Sequence, residues 1–305
     1  MMPSGSKKIT PAFLLLFIVT LTGFFYLPPE AGAREESLVI GLLPEMNVFK
    51  QRQRFKPLAY YLSEQMGIEV RLTIMSSYSK INEKIGTGEV DGAFLGSFTA
   101  AMAISQLGAI PLARPINMDG TSTYYGQIFV RKDNSIKTVS DMKGKSLALV
   151  ERTTTAGYIF PLAWLKRQGI NDFRTYFSDY FFTGSHDAAI DAVLNNKADV
   201  GSAKNTIYEQ MRELNPRIDN ELVVLASSPR VPSNGLCMRA NLAPQYIEQF
   251  KTLLLNLHND QKGVEVLKKL GAKRFVETGL EDYRPVFDMA KEAGIDLQKY
   301  DNKNP

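Results

Sequence analysis

Thr153, Thr154 and Thr155 stand in a row ahead of Ala156-Gly157-Tyr158-Ile159-Phe160-Pro161. They follow a short apolar run, Ser146 to Val150, and open a helical pattern that reaches about Gln168. The first N–H groups of a helix lack partners within it, and the helix dipole leaves that end partly positive. Three hydroxyls added to those N–H groups make a ready oxyanion site. A single Thr before a helix is usually an N-cap and nothing more. Three in a row before Ala-Gly favour contact with a ligand.

The elements that must position these groups follow a repeated rhythm. Ser37 to Leu43, Glu69 to Met75, Val90 to Gly96 and Ile110 to Ile116 read as strands. Val48 to Met66, Ser79 to Ile85 and Phe98 to Leu107 carry helical spacing between them. The rhythm returns with strands near Ser146 to Val150, Tyr176 to Phe182, Asp199 to Ala203 and Leu222 to Ser227. Helices are expected near Ala156 to Gln168, Asp187 to Asn195 and Thr206 to Leu214, and the tail after Ala243 reads as purely helical. Strands separated by such helices imply parallel pairing through right-handed crossovers.

Thr123 to Arg131 and Arg230 to Arg239 are strand-like and placed to cross between two α/β lobes. In open α/β sheets, ligands sit beyond the carboxyl ends of strands. Here those ends are Gly96-Ser97-Phe98-Thr99, Thr153 to Gly157, Thr183-Gly184-Ser185-His186 and Lys204-Asn205-Thr206. Each is polar and each starts a helix. Tyr124 and Tyr125 lie in the first crossing segment, and one of them faces the cleft because neighbours on a strand point to opposite sides. Asn234 sits in the second crossing. Lys204 is either a solvated lysine or a cation in the site, and Trp164, at helical spacing with Phe160, reads as core.

The chain's 305 residues are enough for about two domains. Apolar residues make up 44% and charged residues 22%, with a net charge of +4 and no Lys/Arg block, so nothing suggests a nucleic-acid surface. Lys7 and Lys8, the apolar run Phe13 to Leu27 and Ala31-Gly32-Ala33 have the order of a cleaved secretory signal over residues 1–33. The apolar run is short for a membrane span, so an uncleaved anchor is the lesser alternative. The single cysteine, Cys237, forms no internal disulfide and reads as a buried hydrophobe rather than a nucleophile. With one Cys and two His, no metal site or cofactor is expected.

In order and spacing, a set of segments resembles the phosphonate-type periplasmic substrate-binding proteins of ABC importers. The set is Gly41-Leu42-Leu43-Pro44, Phe55 to Leu62, Val90 to Gly96, Pro111 to Pro115, Ile128 to Ile136, Asp141 to Lys145, Thr154 to Tyr158 and Gly184 to Ala189. The resemblance implies a type II periplasmic binding protein fold. Its features would be two α/β lobes with mostly parallel sheets flanked by helices, and two crossing strands as hinge. The lobes would be 34–126 with 233–305, and 127–232. The family's Ser-Thr-Ser-Gly motif, which holds phosphonate oxygens, falls on Thr154, Thr155 and Ala156. The family histidine falls on His186 and a tyrosine on Tyr78. Ser97, Tyr124, Asn205, Thr206 and Asn234 complete the expected ligand-binding set. Carboxylates that hold an aminoalkyl ligand's ammonium in the family fall on Thr206 and Asn234, and neither is acidic. That departure disfavours an aminoalkyl phosphonate and favours phosphite, phosphate, an alkyl phosphonate or a carboxylate-bearing phosphonate.

The function so implied is a periplasmic solute-binding protein, acting as a monomer, that delivers an oxyanion to an ABC permease. A protein of the same fold that presents its ligand to a sensor kinase or chemoreceptor is the alternative. An enzyme is not expected. The strand ends hold no paired carboxylates, there is no Gly-x-Ser-x-Gly elbow, and adjacent His186 and Asp187 would point apart at a helix start.

Overall fold

The computed structural model describes Met1, residues 37–45 and residues 47–301. The expected signal segment lies outside the described residues. The first lobe opens with β1 (Ser37–Leu42), α1 (Val48–Met66), β2 (Glu69–Ile74), α2 (Lys80–Thr87), β3 (Gly92–Leu95), α3 (Ser97–Leu107) and β4 (Ile110–Asn117). The boundaries of α1 have local causes. The Asn47 side chain accepts from the N–H groups of Phe49 and Lys50, and Gly67 ends the helix in the left-handed region at φ 65°. Its buried face, Leu58, Ala59, Leu62 and Met66, covers the sheet at helical spacing.

The chain then crosses through β5 (Thr123–Tyr124) into β6 (Gly126–Arg131) and builds the second lobe. That lobe continues with β7 (Ser146–Leu149), a π-turn (Thr155–Ile159), α4 (Phe160–Arg167), α5 (Phe173–Tyr176), β8 (Asp179–Phe182) and α6 (His186–Leu194). It closes with β9 (Val200–Lys204), α7 (Asn205–Leu214), α8 (Arg217–Glu221) and β10 (Leu222–Ser227). The return runs through β11 (Val231–Pro232) to β12 (Gly235–Met238), α9 (Pro244–Asn256), α10 (Gln261–Leu270), β13 (Ala272–Glu277) and α11 (Arg284–Glu292).

Two mixed sheets result. One is six-stranded in the order β13-β4-β12-β3-β1-β2, the other five-stranded in the order β10-β6-β9-β7-β8. Pairing is parallel around β1 and around β7, as the strand–helix rhythm implies. It turns antiparallel where a crossing strand enters a sheet, at β12 and at β6. The two crossings pair with each other: Val231 lies opposite Tyr124 and Pro232 opposite Thr123. This is the two-lobe, type II periplasmic binding protein architecture with two crossing strands as hinge. The described residues from 37 to 301 belong to one compact unit.

Two expectations are corrected. The tail after Ala243 is not purely helical, because β13 extends the first sheet by pairing antiparallel with β4. Its Lys273, Arg274 and Glu277 are helix-tolerant residues on an edge strand, and Ala272 and Phe275 supply the buried side. Nor does the pattern after Thr153 begin as an α-helix. Thr155–Ile159 is a π-turn, with Phe160 N–H donating to the Thr155 carbonyl. The reason is local. The Gly157 carbonyl accepts from the Val150 N–H at 3.2 Å, back on the β7 side, and Pro161, four residues on, has no N–H to offer it.

Candidate functional site

Each lobe contributes its strand ends to one buried cluster. From the first lobe comes Ser97, the first residue of α3 and fully buried. Its Oγ lies 2.8 Å from the Tyr124 hydroxyl and 2.7 Å from Thr155 Oγ1 of the second lobe. The Phe98 N–H donates to Thr155 Oγ1 at 2.9 Å. Thr155 thus reaches across the seam to a helix N-terminus on the opposite lobe. Thr154 does not. Its hydroxyl donates to the Glu151 carbonyl at 2.6 Å, which holds the turn together. Ala156 is buried, and its carbonyl accepts from Ser202 Oγ at 2.6 Å.

Tyr78 follows β2 and is 2% exposed. Its hydroxyl is buried and has no hydrogen-bond partner. Such a group is costly to bury. Burial first, then the Glu45 and Glu151 carboxylates, raise its pKa well above the usual value, so it acts as a donor. Its ring stands edge-on to His186, with centroids 6.2 Å apart. His186, first in α6, is also buried, and its Nδ1 accepts from the Lys204 N–H at 3.3 Å. That bond leaves the proton on Nε2. Burial, with Lys204 adding to it against the pull of Glu45, drives the imidazole pKa down to about 3. His186 is therefore a neutral donor across physiological pH. Ligand affinity is expected to show no histidine step between pH 5 and 8 in a titration series.

Beside this cluster lies a second cross-lobe contact. Lys204 Nζ donates to Glu45 Oε1 at 2.8 Å and to Asn234 Oδ1 at 2.9 Å, and stands 4.5 Å from the centre of the Tyr124 ring. Burial alone would raise the Glu45 carboxyl. The charge and hydrogen bond of Lys204, with His186 and Arg54 behind it, outweigh burial and hold it below the usual range. Lys204 is 7% exposed, so of the two readings its sequence allowed, it is the one inside the seam. Asn205 turns to the hinge instead: its Oδ1 accepts from the Tyr125 N–H at 2.9 Å. Thr206 lines the outer groove with Asn205, Asn234, Glu45 and Lys204. Tyr124, and not Tyr125, is the crossing tyrosine that faces the Ser97–Thr155 cluster.

Two carboxylates here escaped the sequence reading. Glu45 follows Pro44 at the end of β1, and Glu151 stands two residues after β7. Both are beyond the carboxyl end of a strand, and that position was the available signal. Glu151 Oε2 accepts from the N–H groups of Tyr78 at 3.0 Å and Ser79 at 3.3 Å, again across the lobes. Burial raises its pKa to about 7, with those two N–H groups opposing. An acid whose folded pKa exceeds its unfolded value takes up a proton on folding. Its contribution is present below about pH 4.5 and lost as pH rises through about 7. Between those limits Glu151→Gln should remove a fall in stability of about 3 kcal/mol at most, and about 2 kcal/mol once solvent screening of the carboxyl is allowed for. Denaturant unfolding at a series of pH values checks this, and identical slopes in both proteins would contradict it.

Among the described residues, no group of three or more His, Cys, Asp or Glu could hold a metal ion, and no helix is long and apolar enough to cross a membrane. Cys237 is buried in β12, and burial pushes its thiol up to about 12.

A family model described as "ABC transporter, phosphonate, periplasmic substrate-binding protein" matches residues 40–283. The chain is similar to the phosphonates-binding periplasmic protein of Escherichia coli, with 21% identity over 80% of this chain and 73% of that one. It is 25% identical to the phosphate-import protein PhnD of Mycolicibacterium smegmatis, over 72% of this chain and 71% of that one. Its fold is similar to PhnD1 from Prochlorococcus marinus in complex with methylphosphonate. There the TM-score is 0.75 and the identity 21%, over 85% of this chain and 98% of that one.

Proposed function

The chain belongs to the family of periplasmic phosphonate substrate-binding proteins of ABC transporters, and from that premise we propose that it binds a phosphorus oxyanion between its lobes and hands it to the permease of an importer. The observation that carries the reading is the buried donor cluster at the seam. Tyr78 offers a hydroxyl with no partner, and His186 offers a neutral Nε2–H. The hydroxyls of Thr155, Ser97 and Tyr124 bond one another and the Phe98 N–H is held by Thr155 Oγ1, so this group turns to a ligand by exchanging partners. Each of these groups has an O–H or N–H to give, and an oxyanion is what such a set satisfies.

The binding residues of this reading are Tyr78, Ser97, Tyr124, Thr155, Ala156 and His186 around the oxyanion. Asn205, Thr206 and Asn234 line the approach, and Thr154 holds the loop. The lobes are 34–126 with 233–305, and 127–232. Residues 1–33 are a signal removed on export, and the mature chain works as a monomer. Its work is conformational. A ligand touching both lobes favours their closed arrangement, and the permease recognises that arrangement.

The substituent on phosphorus is small and carries no ammonium. Of the carboxylates near the cluster, Glu45 is held by Lys204 and Glu151 by two N–H groups. An ammonium would have to displace Lys204 from Glu45 at a desolvation cost. Calorimetric titration with phosphite, phosphate, methylphosphonate, aminoethylphosphonate and sulfate tests this. Methylphosphonate or phosphite is expected to bind at least about tenfold more tightly than aminoethylphosphonate. A preference for aminoethylphosphonate would overturn the ligand assignment while leaving the cleft in place.

A further inference from the structure

A half-open pocket of about 250 Å³, lined by neither Thr155 nor His186, is formed by the second lobe together with Ala293. Its basic residues are Arg152, between Glu151 and Thr153 in the chain, Lys166 on α4 and Arg174 on α5, and Asp172 is its one carboxylate. Its apolar walls are Tyr158, Leu162, Ile170 and Phe173. Within the lining Arg174 is paired with Asp172 at 2.9 Å, and the nearby Arg167 is paired with Glu292 at 3.4 Å. Arg152 and Lys166 have no ion-pair partner among the described residues. The Arg152 Nε is wholly buried and has no hydrogen-bond acceptor, and its guanidinium stacks 5.5 Å from the centre of the Phe182 ring. The guanidinium's terminal N–H groups, and not the shielded Nε, are within reach of a guest in the pocket, and a planar pair of N–H groups is suited to a carboxylate.

We propose that this pocket is a second ligand site, separate from the interlobe cleft, for a small organic carboxylate with an aryl or branched alkyl body. The carboxylate pairs with Arg152 and draws on the charge of Lys166, and the body rests against Leu162, Ile170 and Phe173. The volume lies just below the usual range for ligand pockets, which limits the guest to a small one. This site does not depend on the identity of the cleft ligand.

Calorimetric titration with phenylacetate, benzoate and 4-methylpentanoate tests it, with phenylacetamide as the uncharged comparison. At least one carboxylate is expected to bind once per chain, about tenfold or more above phenylacetamide. Binding should be lost in Arg152→Gln, be weakened in Lys166→Gln and persist in Thr155→Ala and in the presence of methylphosphonate. Thermal unfolding shows whether Arg152→Gln folds, and Lys166→Gln decides the matter if it does not. The proposal is overturned if none of the three saturates by about 10 mM. It is equally overturned if binding survives both substitutions, or if methylphosphonate displaces the carboxylate.

Discussion

Replacing Gly157 with alanine is expected to lower stability by about 3 kcal/mol and to abolish the ligand site with it. A Cβ at this position would stand 2.4 Å from Cβ and Cγ2 of Val150 and 2.8 Å from Thr154 Oγ1. None of these is the free end of a flexible side chain. Val150 is fully buried beside β7, and the Thr154 hydroxyl is tied to the Glu151 carbonyl. The turn must therefore move away from β7, stretching the bond from the Val150 N–H to the Gly157 carbonyl. That displaces Thr155, two residues before, from Ser97 and Phe98. Thermal unfolding should show the midpoint falling by roughly 8 °C for a chain of this size. An unchanged midpoint would contradict the packing described for the loop.

The second large effect separates two neighbouring threonines. Thr155→Ala removes the hydroxyl that reaches Ser97 Oγ and accepts from the Phe98 N–H. A hydrogen bond to a charged ligand is worth about 2 kcal/mol, so affinity for the oxyanion should fall about 30-fold. Thr155→Ser keeps the oxygen and should stay within about threefold. Thr154→Ala loses only the bond within the turn, at about 1 kcal/mol of stability, with affinity changed far less. Calorimetry on the three variants distinguishes them. Equal losses in Thr154→Ala and Thr155→Ala would mean that the loop acts as a whole, and that no single hydroxyl touches the ligand.

That distinction was not legible in the sequence, where Thr153, Thr154 and Thr155 are three equal hydroxyls. It depends on the π-turn, which follows from a carbonyl at Gly157 spent on Val150 and a missing N–H at Pro161. The strand–helix rhythm, the two crossings and the polar strand ends were legible, because burial periodicity and chain direction are local properties. The strand β13 was not. Its residues tolerate a helix, and only the open edge of β4 makes them a strand. Glu45 and Glu151 were passed over because a lone carboxylate after a strand looks like a solvated one. Their partners, Lys204 for one and the Tyr78 and Ser79 N–H groups for the other, are far away in the chain. Arg152 escaped for the same reason: nothing beside it in sequence announces a buried N–H without an acceptor.

The central claim is that the donors at the seam close on one phosphorus oxyanion. A crystal structure of the chain from Arg34 onward, grown with methylphosphonate, tests this most directly. One phosphorus site is expected in the cleft, its oxygens within hydrogen-bond distance of Thr155 Oγ1, the Tyr78 hydroxyl and His186 Nε2. A phosphorus atom bound elsewhere, or a cleft ligand that leaves the Tyr78 hydroxyl without a partner, would contradict it.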